Sequence, residues 1–315
     1  MTDTNPQAAT NGSVRVPFDQ RDGATSDVFF TRDLSAEGLR RAVAKVAPQL
    51  TGKVAIKLHT GEKDGPNIIP FGWVRELVQE DLPEATIVET NTYYEGDRYT
   101  TEQHRETIAH NGWTFCPVDI MDEEGVATLP VTGGKWFDEM HVGTHMLNYD
   151  SMLALTHFKG HTMGGFGGSN KNLGIGCADG RIGKAQVHGV DKDNLPEDWN
   201  VWPGKELLME NMAESAKATI DFFGKHIVYI NVLRRMSVDC DCVGLSAAEP
   251  TIPDIGILAS TDILAIDQAS VDLVYAKESN HDLVERMESR HGLHQLTAMH
   301  ELKMGNDKYE LIELD

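Results

Sequence analysis

The chain is poor in cysteine, in positive charge and in long apolar stretches, and each shortage removes a class of protein. Four cysteines (Cys116, Cys177, Cys240 and Cys242) in 315 residues cannot staple a secreted scaffold of this length, so thiol or metal chemistry is the better expectation. Only 28 Lys and Arg stand against 49 Asp and Glu, a formal charge of -21, which repels nucleic acid and anionic membranes at long range. No long apolar run suited to crossing a bilayer occurs, and the opening MTDTNPQAATNGS has neither the basic flank nor the apolar core of a signal peptide. No nucleic-acid or membrane partner is therefore expected, and the expected compartment is the cytoplasm. Internal repeats and heptads are also missing. So are a Walker A loop and a G-x-G-x-x-G fingerprint, which leaves no sequence argument for a nucleotide.

What is present is an ordinary globular balance, 40% hydrophobic and 24% charged, sufficient for a sizeable core. Residues 1–25 are polar and read as a disordered arm. From 26 to 315, short apolar runs alternate with helical patterns, the mark of strands joined by helical crossovers. The expected fold is α/β, a mostly parallel sheet with helical crossovers in two intimately packed lobes, with a glycine-rich loop at a strand carboxyl end. Segments 27–31, 53–58, 85–89, 151–156, 226–233 and 255–259 read as strands. Helices fit the stretch after Ser35, then Trp73 to Leu82, Thr101 to His110, Glu206 to Phe223 and Asp262 to Ala276, with Asp262 as an N-cap.

Two segments concentrate chemistry. The first, His157 to His188, follows the strand 151–156 at the end where α/β proteins commonly bind ligands. Its glycines allow backbone amides to approach an anion, and it supplies Lys171 with the metal-type donors His161, Cys177 and His188. The candidate anion-binding residues are Gly167, Gly168, Asn170, Lys171 and Asn172, joined by Arg98, whose guanidinium suits a carboxylate or phosphate. The second is Asp239-Cys240-Asp241-Cys242. If extended, it puts both sulfurs on one face, where they can hold a metal. Cys116, before Pro117, reads as a structural thiol. His59 and Glu62, and Asn91, Tyr94, Arg98 and His104, also follow strand ends and are expected to line the same crevice as His161.

The strings KVAIKLHTGE (53–62), NTYYEGDRYTTEQH (91–104), HFKGH, GGFGGSNKNLGIGC and CDC, with 226–242 and 250–274, resemble the uncharacterised iron-sulfur centre protein family, domain of unknown function 362. That resemblance implies a ferredoxin-like insert carrying C-x-x-C repeats, yet Gly189 to Lys205 holds no cysteine. The chain is thus expected to be a variant without ferredoxin-type clusters, any metal ion or iron-sulfur cluster being held by the core. A single segment is also similar to the lactate racemase family, which uses a nickel pincer nucleotide. That likeness implies that Lys171 holds the cofactor while His161 and His188 ligate nickel and move a proton, which makes the three the candidate catalytic residues.

The leading expectation is a metal-dependent enzyme, with an iron-sulfur centre as one form of that metal, acting on a small anionic molecule, with His161, Cys177, His188, Cys240 and Cys242 as candidate ligands. Thiolate and imidazole donors favour iron, zinc or nickel. A non-enzymatic metal or cluster carrier and a lactate-racemase-like isomerase are the alternatives, followed by a metal-free anion-binding protein. The sequence leaves open the oligomeric state and whether Cys177 meets Cys240 and Cys242.

Overall fold

The computed structural model describes residues 15–190 and 203–315. Much of the expected arm (1–14) and most of the cysteine-free interval 189–205 lie outside the described residues. Within the remainder of the arm, Arg21 is buried and donates to both oxygens of Asp272 at 2.7 and 2.9 Å.

Residues read as strands and helices fold accordingly, with ends shifted by a residue or two. After β1 (Ser26–Thr31), Ser35 accepts the Gly38 N–H and opens α1 (Ala36–Val46), whose buried Leu39, Ala42, Val43 and Val46 form one stripe. There follow β2 (Val54–Lys57), α2 (Phe71–Glu80), β3 (Thr86–Glu89) and α3 (Thr101–His110), the last started by a reciprocal Thr100/Gln103 capping box. Three strands then appear that the pattern does not predict: β4 (Val118–Ile120) and the hairpin of β5 (Val126–Pro130) with β6 (Glu139–Gly143). The fully buried β7 (Ser151–His157) enters the glycine-rich stretch.

That stretch is not one loop. It folds as a small hairpin, β8 (Lys159–His161) with β9 (Gly165–Gly167), and two short helices, α4 (Ser169–Gly176) and α5 (Gly183–His188). Its glycines serve close packing more than mobility. A Cβ at Gly174 would lie 2.4 Å from the Met212 carbonyl oxygen, and one at Gly176 would lie 2.5 Å from Lys57 Cε. The chain continues with α6 (Lys205–Phe223), β10 (Ile227–Leu233), β11 (Gly256–Ser260), α7 (Ile263–Tyr275), α8 (His281–Ser289), α9 (His294–Glu301) and β12 (Tyr309–Glu313). Asp262 caps α7 as expected, accepting the Ala265 N–H at 2.9 Å.

Eight strands form one sheet in the order β12-β1-β11-β10-β7-β2-β3-β4, and β11 runs against all the others. This is the expected α/β, mostly parallel fold. Side chains alternate across it. Ala55, Val88, Met152, Ala154 and Tyr229 face one apolar cluster with residues of α4 to α9, while Ile56, Ile87, Leu153, Val228 and Ile230 face a second with α1 to α3. From β2 the chain winds outward through β3 and β4, then returns to place β7 and β10 on the opposite side. The order reverses between β2 and β7, and α/β sheets commonly hold ligands in the crevice outside the strand carboxyl ends at such a point.

Candidate functional site

The β2 side of the crevice is built from charges that neutralise one another. Lys57, the last residue of β2, is buried and donates through Nζ to Glu89 Oε2 at 2.9 Å, to the Leu58 carbonyl and to Asn172 Oδ1. Glu89, the last residue of β3, also accepts the Thr60 N–H at 2.8 Å. Burial alone would raise its pKa, but Lys57, His59 and Arg98 hold it well below the usual carboxylate range. Arg98 donates to Glu62 Oε1 at 2.7 Å and to the Tyr94 hydroxyl at 2.9 Å. His59 Nδ1 accepts the Gly61 N–H at 2.8 Å, and burial, helped by Arg98, lowers that ring to about 4.

On the β7 side, His157, Lys159 and Asp241 form a second buried group. Asp241 accepts from His157 Nδ1 at 2.9 Å and from Lys159 Nζ at 3.0 Å, and it stays ionised despite burial because of those two partners. Cys240 and Cys242 flank this carboxylate. The segment is not the continuous strand that would put both sulfurs on one face: Cys240, itself extended, caps a short 3-10 helix, Asp241–Ser246, and its sulfur accepts the Cys242 N–H at 3.5 Å. The donor atoms of His161, Cys240 and Cys242 all lie within 4.8 Å of one another, which makes them a candidate metal-binding group. Lys171 Nζ stands 4.0 Å from Cys240 Sγ and has no salt-bridge partner among the described residues. A hydrogen bond from Cys242, then Lys171 and His161, pulls the Cys240 thiol well below its ordinary value, while Cys242 is pushed up.

The rest of the expected ligands and anion binders divide. His188 is lowered to about 4 by burial, with lesser effects from His161 and Lys171, so it belongs to the same electrostatic neighbourhood. It stacks on Tyr93, and its Nδ1 donates to the Lys184 carbonyl at 2.7 Å. Cys177 is not part of the thiol group. It is buried beyond the carboxyl end of α4, and burial raises it to about 11. Gly167, Gly168 and Asn170 do not form an open anion cradle. The Ser169 and Asn170 amides donate to the buried Asp267 carboxylate at 2.8 and 2.9 Å, a Cβ at Gly168 would meet that carboxylate, and one at Gly167 would touch the Lys159 and Lys171 stems. Asn170 Nδ2 donates to Gln295, and Asn172 bonds to protein groups throughout. Arg98 already holds Glu62. Cys116 packs half-buried against the second apolar cluster.

Sequence reasoning missed Lys57, Glu89, His157, Lys159, Asp241 and Lys184. The available signal was a charged residue closing an apolar strand, as Lys57 and Glu89 do, and the HFKGH string itself. Lys184 is buried against Thr90 Oγ1 and the carbonyls of Asn91 and Ala178, and burial lowers it to about 8. A second group, Asp119, Glu123 and His145, lies at the β4 edge of the sheet.

The mostly parallel eight-stranded sheet, with a buried Cys240 and a half-buried Cys242 among charges beyond its strand ends, makes this an α/β protein. The profile described as Domain of unknown function (DUF362) matches residues 54–272, and the chain belongs to that family. No curated protein matches the sequence. Among solved structures it is similar to the lactate racemase apoprotein from Thermoanaerobacterium thermosaccharolyticum, with 13% identity and a TM-score of 0.46 over 82% of this chain and 58% of that one. It is also similar to a structural-genomics protein from Thermotoga maritima, with 12% identity and a TM-score of 0.37 over 63% of this chain and 50% of that one. The chain thus spans 58% of the length of the first and 50% of that of the second. Among the described residues no helix is long and apolar enough to cross a membrane.

Proposed function

We propose that this chain is a metal-dependent enzyme acting on a small anionic molecule, its metal held by Cys240 and Cys242 and its anion by Lys171. The observation that carries the reading is the convergence of His161, Cys240 and Cys242 within 4.8 Å beside the ammonium of Lys171. Two thiolates and an imidazole suit iron, zinc or nickel. Three donors leave coordination positions open, as a reacting centre requires and a closed structural site does not.

The donors fit with one adjustment. His161 Nδ1 accepts the N–H groups of Met163 and Gly164, at 3.3 and 2.8 Å, so the proton of the neutral ring sits on Nε2. Ligation through Nε2 requires that proton to leave, and a ligating histidine ordinarily donates its other N–H. Cys240 and Cys242 are therefore the firm ligands, and His161 joins them when its two amide contacts open. A bound metal would supply Lewis acidity at this point. The protein's own part is to neutralise the arriving anion with Lys171 and to favour the thiolate at Cys240, the proton of Cys242 leaving when a metal takes its place. The proposal includes no ferredoxin-type clusters, since residues 189–205 have no cysteine, and Cys177 stands apart from the ligand set.

The test is elemental analysis and absorption spectroscopy on protein purified anaerobically without a metal-binding tag. Stoichiometric iron, zinc or nickel is expected, lost in Cys240→Ser and Cys242→Ser. Lys171→Met should keep the metal but lose the response of a cobalt-substituted spectrum to added carboxylate or phosphate. Metal-free wild-type protein that also fails to take up cobalt would end this reading.

A further inference from the structure

The thiol loop is attached to the end of β7 by unusually polar means. His157 closes β7, and both of its ring nitrogens face oxygen acceptors: Nδ1 meets Asp241 at 2.9 Å and Nε2 meets the Arg234 carbonyl at 2.7 Å. Two residues on, Lys159 Nζ reaches the same Asp241 carboxylate at 3.0 Å. The side chains of His157, Lys159 and Asp241 are 3%, 6% and 2% exposed. Between them, the Gly160 N–H donates to the Ser237 carbonyl at 2.7 Å, and a Cβ at Gly160 would lie 2.2 Å from the Val238 oxygen. Strand and loop are therefore joined at Arg234, Ser237 and Asp241, the last of these lying between the two cysteines in sequence.

Buried ion groups are poor devices for stability alone, because desolvation cancels most of the attraction. A carboxylate between two cysteines, held by a histidine and a lysine that belong to the sheet, does something an apolar plug would not. It orients the turn that carries both sulfurs, and it lets Lys159 reach both of them electrostatically, since each sulfur adds to the positive character of that lysine. We infer that Asp241, fixed by His157 and Lys159, is the positioning residue of the Cys240/Cys242 pair: its buried carboxylate sets where the two sulfurs sit relative to His161 and Lys171. The inference rests on the proposed thiolate site but needs no metal to be examined.

Two readouts separate this role from a structural one. The first is cobalt affinity, read from the thiolate-to-metal charge-transfer band. In Asp241→Asn, which keeps the volume and removes the charge, affinity should fall by about 10- to 100-fold, the usual effect of losing a group that orients a ligand, while the thermal midpoint changes little. The second uses metal-free protein: iodoacetamide labelling at one neutral pH, with the ratio of Cys240 to Cys242 modification read by mass spectrometry. The variant should shift that ratio several-fold. Unchanged affinity and an unchanged ratio in a folded variant would overturn the inference. Should wild-type protein bind no cobalt, the proposed function fails and the labelling ratio alone decides the positioning role. Should Asp241→Asn fail to fold, Lys159→Gln, which keeps the carboxylate and its histidine, takes both measurements with the same expected and overturning results.

Discussion

Asn172 and Lys57 are bonded twice. The asparagine Nδ2 donates to the Lys57 carbonyl at 3.1 Å while its Oδ1 accepts from Lys57 Nζ at 3.2 Å. The same Nδ2 meets the Leu155 carbonyl and the Thr156 hydroxyl, so one side chain of α4 joins β2 to β7 where the strand order reverses.

Asn172→Ala is accordingly expected to cost more than one ordinary hydrogen bond. It leaves the Lys57 ammonium short of an acceptor and two carbonyls short of a donor, for an expected loss of about 1–3 kcal/mol. Urea unfolding would show a lower midpoint with an unchanged slope; an unshifted midpoint would contradict the stitching role.

Asp267 holds the first turn of α4. Its carboxylate accepts the amides of Ser169 and Asn170 and the Asn231 side chain, yet burial raises it to about 6. Asp267→Ala strips three buried donors of their acceptor, and a loss of at least about 2 kcal/mol is expected. A folded acid with a raised pKa holds its proton more tightly than the unfolded chain does. Its ionisation therefore weakens the fold as pH rises from the ordinary aspartate range through about 6. In Asp267→Asn that component of the pH dependence should vanish, as denaturant titration across this window would show.

His59 and His104 act in the opposite sense. Burial, with Arg98 assisting, lowers them to about 4 and about 3. The unfolded chain takes up protons at both positions near pH 6.5, whereas the native chain holds them neutral, so stability is intact at neutral pH and drains as pH falls toward 4. The slope of stability against pH between those limits should be reduced in His104→Gln. A variant that follows the wild-type curve would show that His104 is not the group being titrated.

Glycines in the former loop should resist alanine wherever a Cβ meets backbone. Gly174→Ala places a methyl group 2.4 Å from the Met212 carbonyl oxygen and must push α4 away from α6, whereas Gly164→Ala meets His161 Nδ1 only at 3.2 Å. Thermal midpoints are expected to fall by several degrees in the first and by much less in the second, a comparison that calorimetry can make directly.

The strands and most long helices were legible because apolar period and caps are local signals: Ser35, Asp262 and the Thr100/Gln103 pair start helices where their side chains say they should. The 157–189 stretch misled because glycine density reads as backbone freedom, when here the missing Cβ atoms are spent on contact with Met212, Lys57 and Asp267, residues far away in sequence. At the site, the structure brings three of the candidate ligands, His161, Cys240 and Cys242, near one another, while the separation of Cys177 from them depends on α4 turning its end away into the core. Arg98 illustrates the same limit. The sequence shows a guanidinium near a strand end, and only the fold shows that Glu62 has taken it.

That occupied guanidinium changes what binding would mean here. Within the crevice Arg98, Lys57 and Lys159 each hold a tethered carboxylate, Glu62, Glu89 and Asp241. An external anion that reached for them would compete with groups present at high effective concentration. At these three positions the crevice behaves as an exchanger already loaded with its own counterions, and the anion of the proposed function is assigned to Lys171, which has no internal acid to evict among the described residues.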